Sequence, residues 1–304
     1  MEVYLPLAEM TVPAEAVIAL GTGVGFLSGM FGVGGGFLTT PLLIFMGVPS
    51  AIAVGTQANQ LVASSLSGVL GHWRRGNVDV KMALIMLSGS VLGSLIGVLV
   101  FKLMQHIGQI DFLIPFLYVL ILGGMGSTML FDTIKGLFVK TPVKKRGSQF
   151  YKKGIWRRLP YRMRFPRSRI YISALLPAGI GFIGGFLVSV LGIGGGFLMV
   201  PAMIYLLGMP ILLVAGTSLL QIMMSSIVTT IMHAVANQTV DLVLASFLIV
   251  GGVIGAQIGV RVAKYVSSFY SRLILSVIFF LIAVRLGVEL FIEPADLYSV
   301  EVRE

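Results

Sequence analysis

One apolar segment, broken in the same way, occurs twice in this chain and limits what it can fold into. Residues 25–60 read GFLSGMFGVGGGFLTTPLLIFMGVPSAIAVGTQANQ, and residues 185–221 read GFLVSVLGIGGGFLMVPAMIYLLGMPILLVAGTSLLQ. Each copy passes through three successive glycines, a Pro and a Gly-x-Pro turn. Each then reaches a Gly-Thr pair followed by polar residues. No charge interrupts residues 17–58. A continuous helix over residues 16–48 would be about 50 Å long, against a hydrocarbon layer of about 30 Å. The glycines and Pro41 resolve the excess. The pattern predicts a helix to Phe31, a loop, and a short helix from Phe37 to Met46. Irregular backbone at membrane depth is tolerated only where protein buries it or where it lines a cavity. Gly/Pro-interrupted apolar segments at matching positions of two halves point to a transporter's binding site.

The repetition extends well beyond this segment. Gly34, Gly35, Gly36 and Pro41 pair with Gly194, Gly195, Gly196 and Pro201 at an offset of 160. One residue is then inserted, so Thr56, Gln60 and His72 pair with Thr217, Gln221 and His233. After a second insertion Asp79 pairs with Asp241, Lys102 with Lys264, and Gly89, Gly93 and Gly97 with Gly251, Gly255 and Gly259. So sustained a match is a duplication. Further helices are expected over Ser50–Leu70, with Ser50 as N-cap, and over Met82–Met104 and Phe112–Phe131. Asp79 and Asp241 are expected to cap the helices that follow them. Glycines at every fourth position, such as Gly21, Gly25 and Gly29, mark close helix packing.

Only 11% of residues are charged and 57% are hydrophobic, so most of the solvent is lipid. There is no Cys, which excludes disulfides and thiolate chemistry. The N-terminus has no base before its apolar run and lacks the start of a cleaved signal peptide, so the first span is expected to stay. Thirteen of the 22 Lys and Arg fall within residues 135–169. That is a basic cytoplasmic loop by the positive-inside rule rather than a nucleic-acid arm. Its part IWRRLPYRMRFPRSRI alternates base with apolar residue and suits a surface touching anionic lipid headgroups. If the broken hairpin does not change sides, or crosses twice, the repeats are inverted and both termini lie outside. Counting it as one crossing puts the termini inside. The Lys/Arg distribution favours the inverted version.

The expected fold is thus all-α and polytopic, with two inverted repeats. Each repeat has a broken hairpin and about three spanning helices. Residues 14–131 form one repeat, 132–170 the basic loop and 171–292 the other. The candidate substrate site is built from Gly34, Gly35, Gly36, Gly194, Gly195 and Gly196. Their exposed N–H groups at a half-helix N-terminus suit an anion; the alternative is a tight turn. Thr56, Gln57 and Gln60, with Thr217, Ser218 and Gln221, are neutral hydrogen-bonding groups in apolar spans. They contact substrate or hold helices together. Asn59 belongs to the same group. The second copy is less polar, with Leu219 and Leu220 where Ala58 and Asn59 stand. His72 and His233 sit at span ends, where an interfacial structural role outweighs proton coupling. No acid lies deep in a span, and no catalytic or metal-ligand constellation is visible. No enzyme activity, metal, cofactor or nucleic-acid partner is expected.

The two motifs, GVGGGFLTTPLLIFMGVP…AVGTQ and LGIGGGFLMVPAMIYLLGMP…AGTSLLQ, resemble the sulfite exporter TauE/SafE family of membrane permeases. The resemblance covers nearly the whole chain. It implies transport of small sulfur-containing anions, such as sulfite or organosulfonates, across the cytoplasmic membrane. Carried over by motif, it draws attention to the glycines 34–36 and 194–196 and to the Gly-Thr pairs 55–56 and 216–217. The mechanism expected is alternating access around a neutral cradle of backbone and side-chain donors. A channel, a permease for another solute, and an embedded enzyme or scaffold are the rival readings.

Overall fold

The computed structural model describes residues 2–138, 160–263, 265 and 268–291. Most of the expected basic loop (139–159), Lys264 and the acidic tail beyond Phe291 lie outside the described residues. The first half runs β1 (Glu2–Leu5), β2 (Met10–Pro13), α1 (Ala14–Phe31), α2 (Gly36–Phe45), α3 (Ser50–Arg74), α4 (Val80–Ile107) and α5 (Ile110–Phe138). The second half repeats that order as β3 (Arg162–Phe165), β4 (Ile170–Ser173), α6 (Leu175–Leu191), α7 (Gly196–Tyr205), α8 (Ile211–Met232), α9 (Leu242–Val262) and α10 (Ser268–Phe291). A π-helical turn, His233–Asn237, follows α8.

Among the described residues six helical stretches are long and apolar enough to span a membrane: Ala14–Phe31, Val80–Ile107, Ile110–Lys135, Leu213–Asn237, Leu242–Val262 and Leu273–Leu290. Their outward faces agree with that reading. Leu92, Ile96, Leu99 and Leu103 stand exposed along one face of α4, and Val250, Ile254 and Ile258 along α9. Such stripes would be unstable in water and are at home against lipid tails.

The chain divides into two compact units. The smaller comprises residues 111–140 and 268–304. Within it α5 meets α10 where Gly126 faces Phe279 and Phe280, and Gly123 faces Ala283. The larger comprises residues 1–110 and 141–267 and, among the described residues, holds the other helices and both hairpins. Here the two halves interlock. The first helix of each packs along the fourth of the other, α1 on α9 and α6 on α4, while α3 lies against α8.

Glycine makes these crossings close. A Cβ on Gly25 would overlap the carbonyl of Gly252, and one on Gly29 that of Ala256. In return Gly255 and Gly259 leave room for the carbonyls of Thr22 and Phe26. The second crossing copies the first: Gly93 abuts the Phe182 carbonyl, and Gly185 that of Ser90. Backbones that approach this closely gain dispersion contacts, the main attraction left to helices in lipid.

The paired strands were not expected. β1 pairs antiparallel with β2 and β3 with β4, each over four residues. In RMRF the exposed Arg162 and Arg164 alternate with the half-buried Met163 and the buried Phe165. That is the two-residue period of a strand. Ser50 is the first helical residue of α3 rather than its cap. Pro49 holds the cap position, where its extended backbone starts the helix without a side-chain bond. Asp79 and Asp241 do cap: Asp79 Oδ1 accepts from the Met82 N–H, and Asp241 Oδ1 from those of Val243 and Leu244.

Candidate functional site

The larger unit brings the two chain breaks together. α1 ends at Gly32, whose left-handed backbone (φ 69°) is easy only for glycine. α6 ends likewise at Gly192 (φ 68°). Gly34, Gly194 and Gly195 also have left-handed backbone, so these positions could not carry side chains without strain. The helices α2 and α7 then begin inside the fold. Their N-termini supply polar N–H groups to a buried place. Among the described residues the N–H groups of Gly34, Gly35, Gly194 and Gly195 donate no hydrogen bond, whereas that of Gly196 bonds the Gly194 carbonyl at 2.7 Å.

The loops touch. A Cβ placed on Gly34 would lie 3.6 Å from the Gly194 carbonyl oxygen, and one on Gly194 would lie 3.7 Å from the Gly36 nitrogen. Ile222 of α8 packs over Gly34 and Gly196, and Leu61 of α3 over Gly194. Phe37 and Phe197 face each other at 6.4 Å between ring centroids. All six glycines of the two triplets are buried.

Gln57 is the polar group at this junction. A Cβ on Gly36 would fall 2.8 Å from both Gln57 Nε2 and Oε1. One on Gly192 would fall 2.5 Å from Nε2 and 3.1 Å from Thr40 Oγ1. The Gln57 amide therefore lies between the start of α2 and the end of α6, beside Thr40. Its side chain is 0% exposed, yet neither Nε2 nor Oε1 has a hydrogen-bond partner. Thr40 Oγ1 is also unpartnered. A buried amide left without partners costs about 1–3 kcal/mol, so Gln57 leaves an unmet demand for hydrogen bonds at this junction.

The other expected site residues fall into two groups. Gln221 is buried with both amide atoms unpartnered. Gln60 Oε1 accepts from Thr39 Oγ1 at 2.8 Å, and its Nε2 is unpartnered. Asn59 is half-buried, with its Nδ2 unpartnered. The hydroxyls, by contrast, serve the scaffold. Thr56 Oγ1 accepts from the Asp241 N–H at 2.9 Å, and Thr217 Oγ1 from the Asp79 N–H at 2.9 Å. Ser218 Oγ donates to the Gly32 carbonyl at 2.7 Å, tying α8 to the first break.

Each capping Asp also grips a hairpin of the opposite half. The Leu7 N–H donates to Asp241 Oδ2, and the Ser168 N–H and hydroxyl both donate to Asp79 Oδ2. Arg167 extends the second grip, donating to the Gly76 carbonyl from Nε and Nη2. Among the described residues the buried acids and histidines are Asp79, Asp241, His72 and His233, and no Lys or Arg is buried. The junction itself is neutral.

His233 is structural. Its Nε2 meets the Ser189 carbonyl at 2.9 Å, Asn237 meets its Nδ1 at 3.0 Å, and Phe101 packs edge-on. His72 lies by the Gly29 main chain without a well-formed bond. Among the described residues no group of three or more His, Asp or Glu could hold a metal.

Thr39 and Thr40 were not singled out from the sequence. Two hydroxyls directly before a Pro in an uncharged segment were the available signal.

Comparison with known proteins gives a consistent result. The family model described as "Sulfite exporter TauE/SafE" matches residues 17–286. A "Probable membrane transporter protein" of Xylella fastidiosa strain 9a5c is 32% identical over 241 residues, covering 78% of this chain and 80% of its own. The "Probable membrane transporter protein YjnA" of Bacillus subtilis strain 168 is 28% identical over 240 residues, 78% of this chain and 85% of its own. YunE of the same organism, described in the same words, is 30% identical over 229 residues, 73% of this chain and 78% of its own. No solved structure gives a significant match.

Proposed function

The chain belongs to the sulfite exporter TauE/SafE family, and on that premise we propose that it is a secondary transporter of small sulfur-containing anions, working by alternating access across the cytoplasmic membrane. At the coarser level it is a multi-pass membrane transporter and not an enzyme. The observation that carries the finer reading is Gln57: a fully buried amide with both ends unpartnered, set between two glycine breaks that leave N–H groups unbonded. The helix starts and amide donors favour an anion. With no buried Lys or Arg among the described residues, they would hold it weakly enough to release it. Gly34–Gly36, Gly194–Gly196, Gln57, Gln60 and Gln221 are the groups proposed to face it. Thr56, Thr217 and Ser218 shape the walls.

The hairpins support an inverted arrangement. Residues 2–13 carry two Glu and no base, and residues 162–173 carry four Arg and no acid. By the positive-inside rule the second hairpin and the basic loop face the cytoplasm, and the first hairpin faces outward. Arg162 and Arg164, exposed on β3, suit anionic headgroups.

The test is sulfite flux into proteoliposomes containing the purified chain, competed with thiosulfate, sulfate and sulfonates. Saturable flux with counterflow is expected. Flux that neither saturates nor shows counterflow would make the protein a channel. No flux for the whole panel would end the sulfur-anion reading.

A further inference from the structure

Gln57 offers more than a donor. A primary amide presents an N–H and a C=O side by side, and here both are buried and unpartnered. A fully deprotonated oxyanion has only acceptors. It could satisfy Nε2 and would leave Oε1 stripped of water and unpaired, facing negative charge. A ligand with an oxygen and an O–H on one central atom matches both ends at once, as two acids or an acid and an amide pair in a ring. Thr40 Oγ1, close to the same amide, can donate or accept and does not disturb the match.

Charge argues the same way. Among the described residues no Lys or Arg is buried, and the buried acids, Asp79 and Asp241, are occupied with helix caps and hairpins. The desolvation cost of an ion rises steeply with its charge. A neutral pocket therefore discriminates strongly against a dianion.

We propose that the site around Gln57 selects the singly protonated, singly charged form of an oxyanion over its dianion and over monoanions that lack an O–H. The proton then crosses on the substrate. No carboxylate of the protein need carry it, which accords with spans free of deep acids. This rests on the transport reading above and narrows its substrate class.

The experiment uses the full chain in proteoliposomes with equal pH on both sides, varied between about pH 6 and pH 9. Protein-free vesicles give the leak to subtract. Sulfite and selenite are the probes, because selenite loses its second proton at higher pH than sulfite. Initial rates at fixed total concentration should fall with rising pH, approaching about tenfold per unit above each probe's own second pKa. The falling limb should therefore lie higher in pH for selenite. Methanesulfonate and sulfate should compete at least about tenfold more weakly than sulfite near neutrality. Gln57→Met, checked for monodispersity, should lose most of the preference for sulfite over methanesulfonate. A flat or rising profile would overturn the proposal, as would a limb at one pH for both probes or equal competition by methanesulfonate; each would leave transport itself standing. Absence of flux for every oxyanion would instead overturn the transport reading.

Discussion

Where the first half places Thr39, Thr40 and Gln57, the second places Met199, Val200 and Ser218. Around these positions the halves are close copies: the same left-handed glycine ends α1 and α6, the same Asp caps α4 and α9, and the same glycine stripes seat the crossing helices. The polar lining is not copied. Gln57 has an unpartnered amide, while its mate Ser218 bonds the Gly32 carbonyl. Gln60 takes a bond from Thr39, while its mate Gln221 has none, Met199 standing in place of Thr39. The duplicated scaffold is alike in the two halves, and the polar groups on it have diverged. The asymmetry of the proposed site suits one small ligand held in one orientation.

The scaffold half of that comparison is tested by the largest expected effect. Gly25→Leu and Gly185→Leu each drive a side chain into a facing carbonyl, of Gly252 and Ser90 respectively. Both variants should lose most of their folded, monodisperse protein in size-exclusion chromatography, and to a similar degree. A well-folded Gly185→Leu beside a lost Gly25→Leu would break the equivalence of the two crossings.

The lining half is tested by Gln221→Leu and Gln60→Leu. Removing the unpartnered Gln221 amide should leave thermal stability unchanged or higher while reducing sulfite flux severalfold. Gln60→Leu also strips Thr39 of its acceptor and should cost about 1 kcal/mol. If Gln221→Leu were the less stable of the two, with undiminished flux, Gln221 would be a packing residue.

The smallest effect separates the two hairpin grips. Ser168→Ala removes one hydroxyl bond to Asp79 and should lower stability by about 1 kcal/mol, read as a modest drop in Tm. Leu7→Ala leaves the corresponding main-chain bond to Asp241 in place, so its effect tests packing alone.

The helical framework was legible because its signals are local. Uncharged runs give the spans, and the glycines and Pro41 and Pro201 set the breaks, so α1 ends at Phe31 as expected. The hairpins escaped because four-residue strands are shorter than any apolar window, and alternating Arg and apolar residues suit a lipid-surface segment equally well. The roles of Thr56 and Thr217 could not be read for another reason. Their partners Asp241 and Asp79 are 185 and 138 positions away, and no local pattern records such a pairing. Gln57 was visible as a polar residue in an apolar span. That its amide would be left unpartnered, and Ser218 satisfied, follows from packing alone.

The interlocking of α1 with α9 bears on how the protein is made. Gly25 leaves the ribosome on the order of ten seconds or more before Gly252, at roughly 5–20 residues per second. Until then the glycine face of α1 has no permanent neighbour, and the main chain it exposes must wait in lipid or against the insertion machinery. Neither half can mature alone, since each keeps its first helix for the other's fourth. Assembly is thus held back until synthesis nears its end, and a chain cut short after α5 would reach the bilayer with its closest contacts unmade.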